Sequence, residues 1–187
     1  MSESLLCAAD NSQLVVIDIQ TRLAGAMAEE ARERVYRNSA ILLQAAAQLD
    51  IPAIATEQYP KGLGPTEASV AAHFPAAMPL IEKTCFACSA NDHFMQALAD
   101  NHRRQVVLAG MEAHVCVLQT ALELQNRGYQ VFVVEDAVCS RRAAHQHNAL
   151  QRLRQAGVLI SNTESVLFEW LRDARHRHFK AVTALIK

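Results

Sequence analysis

Apolar residues in this chain recur with two periods that alternate along its length. Leu14, Val15, Val16 and Ile17 form an unbroken apolar run, as in a strand buried on both faces. From about Glu29 to Leu49 the spacing turns helical, with Val35, Leu42, Ala46 and Leu49 on the segment. Pro52 to Thr56 predicts a second strand, and EQYPKGLGPT behind it reads as a loop rich in Gly and Pro. Met78 to Ile81 is a short apolar piece that leads to Lys83, after which Ser89 or Asn91 can cap a helix running to Asn101. Further along come strand Val106 to Ala109, a helix over 114–127 closed by Gly128, and strand Val131 to Glu135. A helix over 144–156 closed by Gly157, strand Val158 to Ser161 and a helical tail complete the series.

Continuous apolar strands alternating with amphipathic helices predict an α/β fold, a doubly wound, six-stranded, mainly parallel sheet covered by helices on both faces. The expected strand order is 3-2-1-4-5-6, which places strand 1 beside strand 4 where the winding reverses and opens a crevice at the carboxyl ends. Asp18 ends strand 1, Cys116 follows strand 4, and Lys83 follows the third strand-like piece, so all three are expected on one rim. No repeat, linker or low-complexity tract divides the chain, and one domain spanning 1–187 is expected.

Composition narrows the function classes. The chain has 187 residues, 51% of them hydrophobic and 20% charged, with a formal net charge of −1. Near-neutral charge without a basic stripe argues against a nucleic-acid partner. No apolar stretch reaches membrane-spanning length, so no membrane partner is expected, and MSESLLCAADNSQ has no secretory pattern. Five cysteines is an odd number, which points to reduced thiols and a cytoplasmic setting.

Chemistry concentrates where these elements meet. A thiol between a strand end and a helix start faces backbone N–H groups and the positive end of a helix dipole. Both favour a thiolate over the free thiol, whose ordinary pKa is about 8.5. An acid, a thiol and an amine converging there make a coherent nucleophilic site. The thiol attacks an acyl carbon, the carboxylate takes its proton, the ammonium holds the carboxylate, and N–H groups of the turn bind the oxyanion.

These residues also match a family. LVVIDIQ around Asp18, IEKTCFACS around Lys83 and GMEAHVCV around Cys116 resemble the isochorismatase-like cysteine hydrolases, a group that includes nicotinamidases and N-carbamoylsarcosine amidohydrolases. GYQVFVVEDAVCSR and AGVLISNTESVLFEWL extend the resemblance over nearly the whole chain, and TEQYPKGLGPT is similar to a subgroup called isochorismatase-domain-containing proteins. The resemblance implies Asp18 as general base, Lys83 as the orienting group and Cys116 as a nucleophile that forms a thioester hydrolysed by water. It implies a cis peptide at Met111–Glu112 and an oxyanion hole from the N–H groups of Glu112 and Cys116. A small-molecule amide or related acyl substrate and homo-oligomerisation also follow from it. The alternatives are a non-catalytic scaffold, a redox relay through Cys116, or a hydrolase of vinyl ethers related to isochorismate.

Other residues qualify the picture. Glu57-Gln58-Tyr59 stands where nicotinamidases carry Asp and His ligands, so neither a metal nor a cofactor is expected. Glu57 and Tyr59 are expected to shape the pocket, the alternative for Glu57 being a pair with Lys61 or Arg22. Ala113 replaces a Thr common in the family, and His114 either contacts substrate or packs within the turn. Cys85 and Cys88 read as structural, Cys7 and Cys139 as incidental, with the loop holding Cys139 able to approach the site. His145 with His147, and His176 with His178, read as solvated surface. Glu135 and Asp136 are expected to cap a turn, with Arg141 as a partner.

Overall fold

The computed structural model describes residues 5–187. Its strands are β1 (Ser12–Ile17), β2 (Ala53–Gln58), β3 (Leu80–Lys83), β4 (Gln105–Met111), β5 (Gln130–Cys139) and β6 (Leu159–Ser161). The helices are α1 (Thr21–Ala24), α2 (Glu29–Gln48), α3 (Pro60–Leu63), α4 (Ala68–Ala71) and α5 (Asp92–Asp100). They continue with α6 (Leu118–Asn126), α7 (Ala143–Gln155), α8 (Thr163–Leu171) and α9 (Phe179–Thr183). The strands form one sheet in the order β3-β2-β1-β4-β5-β6, and every pairing in it is parallel. The expected order stands, and the sheet is wholly rather than mainly parallel.

Both faces of the sheet are buried, which is why β1 and β4 read as continuous apolar runs. Leu14, Val16, Val107 and Ala109 face a core closed by α2 and α8, while Val15, Ile17, Val106 and Leu108 face one closed by α5, α6 and α7. Asn91 caps α5, its side chain accepting from the Phe94 amide at 3.0 Å, so of the two expected caps Asn91 takes the position.

Strand ends differ from the sequence expectation where they serve the crevice. Glu57 and Gln58 also belong to β2, and Lys83 is the last residue of β3 rather than a residue beyond it. In the sheet, Ile17 pairs with both Thr56 and Gly110, and Gln58 pairs with Lys83. Four parallel strands therefore end close to one level, and their terminal side chains share a rim. β5 is also longer than expected. It bulges after Val133 and rejoins β4 at Val138 and Cys139, opposite Gly110 and Met111. The bulge lifts Asp136 out to accept from the amide and hydroxyl of Thr163 at 2.8 and 2.9 Å, while its carbonyl accepts from Asn38.

Gly110 is where the sequence has no choice. Its φ is 124°, a region open essentially to glycine, and a Cβ there would fall on the Ile17 carbonyl. Contact between β1 and β4 at this level is what brings Asp18 to the turn that follows β4. Gly110→Ala is expected to cost more than about 2 kcal/mol of folding stability, read as a lowered urea midpoint. An unchanged midpoint would contradict this account of the strand crossing.

Candidate active site

Lys83 is buried at the end of β3 and its ammonium lies 2.7 Å from Asp18 Oδ2. An ammonium sealed from water needs acceptors for every proton. Lys83 finds them in Asp18, in Gln58 Oε1 at 2.7 Å, and in the carbonyls of Cys85 at 3.2 Å and Phe86 at 3.4 Å. Burial alone would lower the lysine pKa, but Asp18 and the thiols of Cys88 and Cys116 outweigh it and raise it above the ordinary value. Lys83 is therefore charged at neutral pH.

Asp18 has no exposed surface. Its φ of 52° turns the chain out of β1, and the Asp18 amide donates to the Thr56 carbonyl at 3.1 Å. Lys83 occupies Oδ2, and the Thr56 hydroxyl donates to Oδ1 at 2.7 Å. Cys116 lies against the same carboxylate, close enough for Asp18 to bear on the acidity of its thiol. The sequence-predicted acid, amine and thiol thus meet in one buried group.

Cys116 sits in a π-helical turn, Ala113–Val117, that leads into α6. The Glu112 carbonyl accepts from the amides of Val115 at 3.0 Å and Val117 at 3.3 Å. The peptide between Met111 and Glu112 is cis. The thiolate expectation needs correction. Burial, reinforced by the Asp18 carboxylate and opposed only in part by Lys83, pushes the Cys116 pKa up, so the resting group is a neutral thiol. Desolvation and a neighbouring anion outweigh the helix terminus, whose effect is about 1 kcal/mol.

The pocket residues divide. Tyr59 is exposed and, with Lys61, Glu82, Lys83, Thr84 and Asn91, lines a cavity of about 360 Å³. Asp18 and Cys116 are not in that lining, so Lys83 alone links the cavity to the buried cluster. Glu57 neither lines the cavity nor pairs with Lys61 or Arg22. Its Oε1 accepts from the Thr66 amide at 2.6 Å and hydroxyl at 2.7 Å, fastening the loop behind β2. Gln20 fastens the same loop, donating to the carbonyls of Gln58 at 3.1 Å and Gly64 at 2.6 Å.

A polar group flanks the turn, and the sequence marks only His114 of it for the site. His114 Nδ1 lies 2.9 Å from Ser140 Oγ, and its ring packs at 4.6 Å and a 46° tilt against that of His145, which is exposed as expected. Burial lowers the His114 pKa, with Glu112 opposing and His145 adding to the shift. Arg141 pairs with Glu112, at 3.1 Å to Oε1, and not with Glu135 or Asp136; Glu135 pairs instead with Arg154 at 2.8 Å. The β5 bulge, invisible as a period, delivers Ser140 and Arg141 beside the turn. Cys139 ends β5 fully buried. Among the described residues, no group of three His, Cys, Asp or Glu side chains is placed to hold a metal, and no helix is long and apolar enough to cross a membrane.

Comparison with known proteins decides the family. A family profile described as "Isochorismatase domain" matches residues 12–165. The chain belongs to the isochorismatase-domain family. Within this family, "Isochorismatase domain-containing protein 2" of Danio rerio is 41% identical over 152 residues, covering 81% of this chain and 76% of the relative. "Isochorismatase family protein 1B" of Dictyostelium discoideum is 34% identical over 182 residues, covering 95% and 87%. Among solved structures, one described as MAR1 ribonuclease from Caenorhabditis elegans superposes with a TM-score of 0.91 at 36% identity, covering 97% of this chain and 92% of that one. The YcaC gene product of Escherichia coli, described as an octameric hydrolase of unknown specificity, superposes at 0.90 with 25% identity, covering 100% and 91%.

The buried thiols give this isochorismatase-domain protein a characteristic pH response. Burial pushes Cys7 and Cys139 up to about 12 and Cys88 to about 11, from an ordinary 9.0. Below that ordinary value folded and unfolded chains both hold these protons and nothing is lost. Above it the unfolded chain releases them while the folded one cannot, so folding loses about 1 kcal/mol per buried thiol per pH unit. Stability from urea unfolding is expected to fall steadily between about pH 9 and about pH 11. A flat profile over that window would show the thiols to be solvated.

Proposed function

We propose that this protein is a cysteine hydrolase of small amides or related acyl compounds that works through a thioester on Cys116. The observation that carries this reading is the placement of a neutral thiol against a carboxylate already held by an ammonium. In the first step the Cys116 proton passes to Asp18 as sulfur bonds to the acyl carbon. Backbone N–H groups of Glu112 and Cys116 receive the oxyanion. Collapse breaks the C–N bond, and the amine leaves with the proton held by Asp18. Water then attacks the thioester while Asp18 takes its proton. The acid leaves, and the sulfur recovers a proton from Asp18.

Lys83 keeps Asp18 ionised between these transfers and offsets negative charge as it moves from carboxylate to sulfur. A thiol that rests protonated suits this role, because the nucleophile is generated only when a substrate is seated. No metal or cofactor is assigned a step. Tyr59 and His114 are proposed as pocket residues on the two sides of the crevice, and self-association is proposed with them. Exposed Tyr59, Leu80 and Phe86 offer apolar surface for a second copy, and the octameric relative favours it.

A second reading, RNA hydrolysis, is favoured by the name of the Caenorhabditis elegans structure. The net charge of −1 opposes it, since phosphate binding draws on clustered cations.

Screening small amides by intact-mass spectrometry tests the leading proposal. An acyl adduct on Cys116 is expected, with turnover falling by at least about 1000-fold in Cys116→Ala and in Asp18→Asn. Amide turnover undiminished in Cys116→Ala would eliminate the thioester route. Cleavage of labelled RNA that disappears in Asp18→Asn would favour the second reading.

A further inference from the structure

We propose that Thr56 is a positioning residue whose hydroxyl sets the acidity range over which Asp18 can take the proton of Cys116. This rests on the reading of Asp18 as the base for Cys116. Nothing in the three matched motifs around Asp18, Lys83 and Cys116 includes Thr56, which lies on β2.

The geometry is specific. Thr56 is 1% exposed at a point where β2 pairs with Ile17 on one side and Ile81 on the other. From there its hydroxyl reaches Asp18 Oδ1 at 2.7 Å, and Oδ2 is taken by Lys83 at 2.7 Å. With both oxygens held, the carboxylate cannot rotate, and the thiol of Cys116 meets it in a fixed orientation. The backbone repeats the constraint, since the Asp18 amide donates to the Thr56 carbonyl at 3.1 Å.

A hydrogen bond donated to a carboxylate favours its ionised form. Around a carboxylate with no exposed surface, solvent does not readily replace that donor when it is removed. The ionisable groups facing Asp18 are Lys83 from β3, Cys116 from the turn after β4, and Cys88 from the turn after β3. Cys88 also lies against Thr56, sulfur to hydroxyl at 3.9 Å. Lys83 and Thr56 are the groups that hold its two oxygens, so loss of the hydroxyl leaves the base with one donor fewer. Deprotonation of Cys116 then requires a higher pH.

The test is the rate at which iodoacetamide alkylates Cys116 between about pH 4 and about pH 9, localised by peptide mass, in full-length folded protein. It needs no substrate. In Thr56→Val and Thr56→Ala the acid limb of the rate profile is expected to move up by about one pH unit, which on that limb is about a tenfold slower reaction. Thr56→Ser keeps the hydroxyl and is expected to follow the unsubstituted protein. Circular dichroism identifies which of the two hydroxyl-free variants is folded, and either suffices because the smaller Ala tolerates what Val does not.

An acid limb unmoved in the hydroxyl-free variants, while Asp18→Asn still abolishes it, would overturn the role of Thr56 and leave Asp18 as the base. A shift in Thr56→Ser equal to that in Thr56→Val would assign the effect to the methyl group and overturn the proposal as well. A limb that persists in Asp18→Asn would overturn both this inference and the base role beneath it.

Discussion

Taking an ammonium and a carboxylate out of water together costs several kcal/mol per ion, and their attraction offsets this only when pairing is close and remaining donors and acceptors are filled. Lys83 and Asp18 meet those conditions, 2.7 Å apart with side chains wholly buried. Gln58 and two carbonyls complete the ammonium, and Thr56 completes the carboxylate. The pair in turn dictates much around it. β3 must end at Lys83, β2 must carry Thr56 and Gln58 to the same level, and β1 must turn at Asp18. Such an arrangement gives little net stability. What it does achieve is to fix the Asp18 carboxylate beside the Cys116 thiol.

The sheet sets the level at which these groups meet. In an all-parallel sheet the carboxyl ends of the strands share one edge, and the reversal of winding between β1 and β4 opens the edge to side chains from both halves. Gly110 allows the two strands to touch there, and the turn that follows carries Cys116 down onto Asp18. Lys83 is the member of this cluster that also lines the cavity at Tyr59. Cys116 itself is 5% exposed, in surroundings where water competes little and electrostatic contacts are strong.

Strand order, the longer helices and the convergence of Asp18, Lys83 and Cys116 were legible because each leaves a period or a motif, whereas the one-turn helices α1, α3 and α4 leave none. Buried parallel strands read as apolar runs, and the three motifs carry their residues at strand ends. Strand boundaries and secondary contacts were less legible. Thr56 and Gln58 look polar, and only their sheet partners reveal that they face an ion pair. The β5 bulge leaves no mark in the apolar spacing, so Ser140, Arg141 and His145 gave no sign of flanking the turn. Glu57 was placed in the pocket because it follows a strand end. Side chains alternate along a strand, however, and Glu57 points to Thr66 while its neighbours Thr56 and Gln58 point to the site. The charge state of Cys116 failed for another reason. A sequence shows the helix terminus but not the depth of burial, and burial has the larger effect.

A double-mutant cycle on Lys83 and Asp18, read by urea unfolding, tests the central claim most directly. Lys83→Met alone is expected to cost about 3–5 kcal/mol, because it leaves a buried carboxylate unpaired. Adding Asp18→Asn to it is expected to recover at least about 2 kcal/mol, a coupling that only a direct buried pair produces. Single substitutions that each cost under about 1 kcal/mol and simply add would contradict the account, placing the two charges in water and apart.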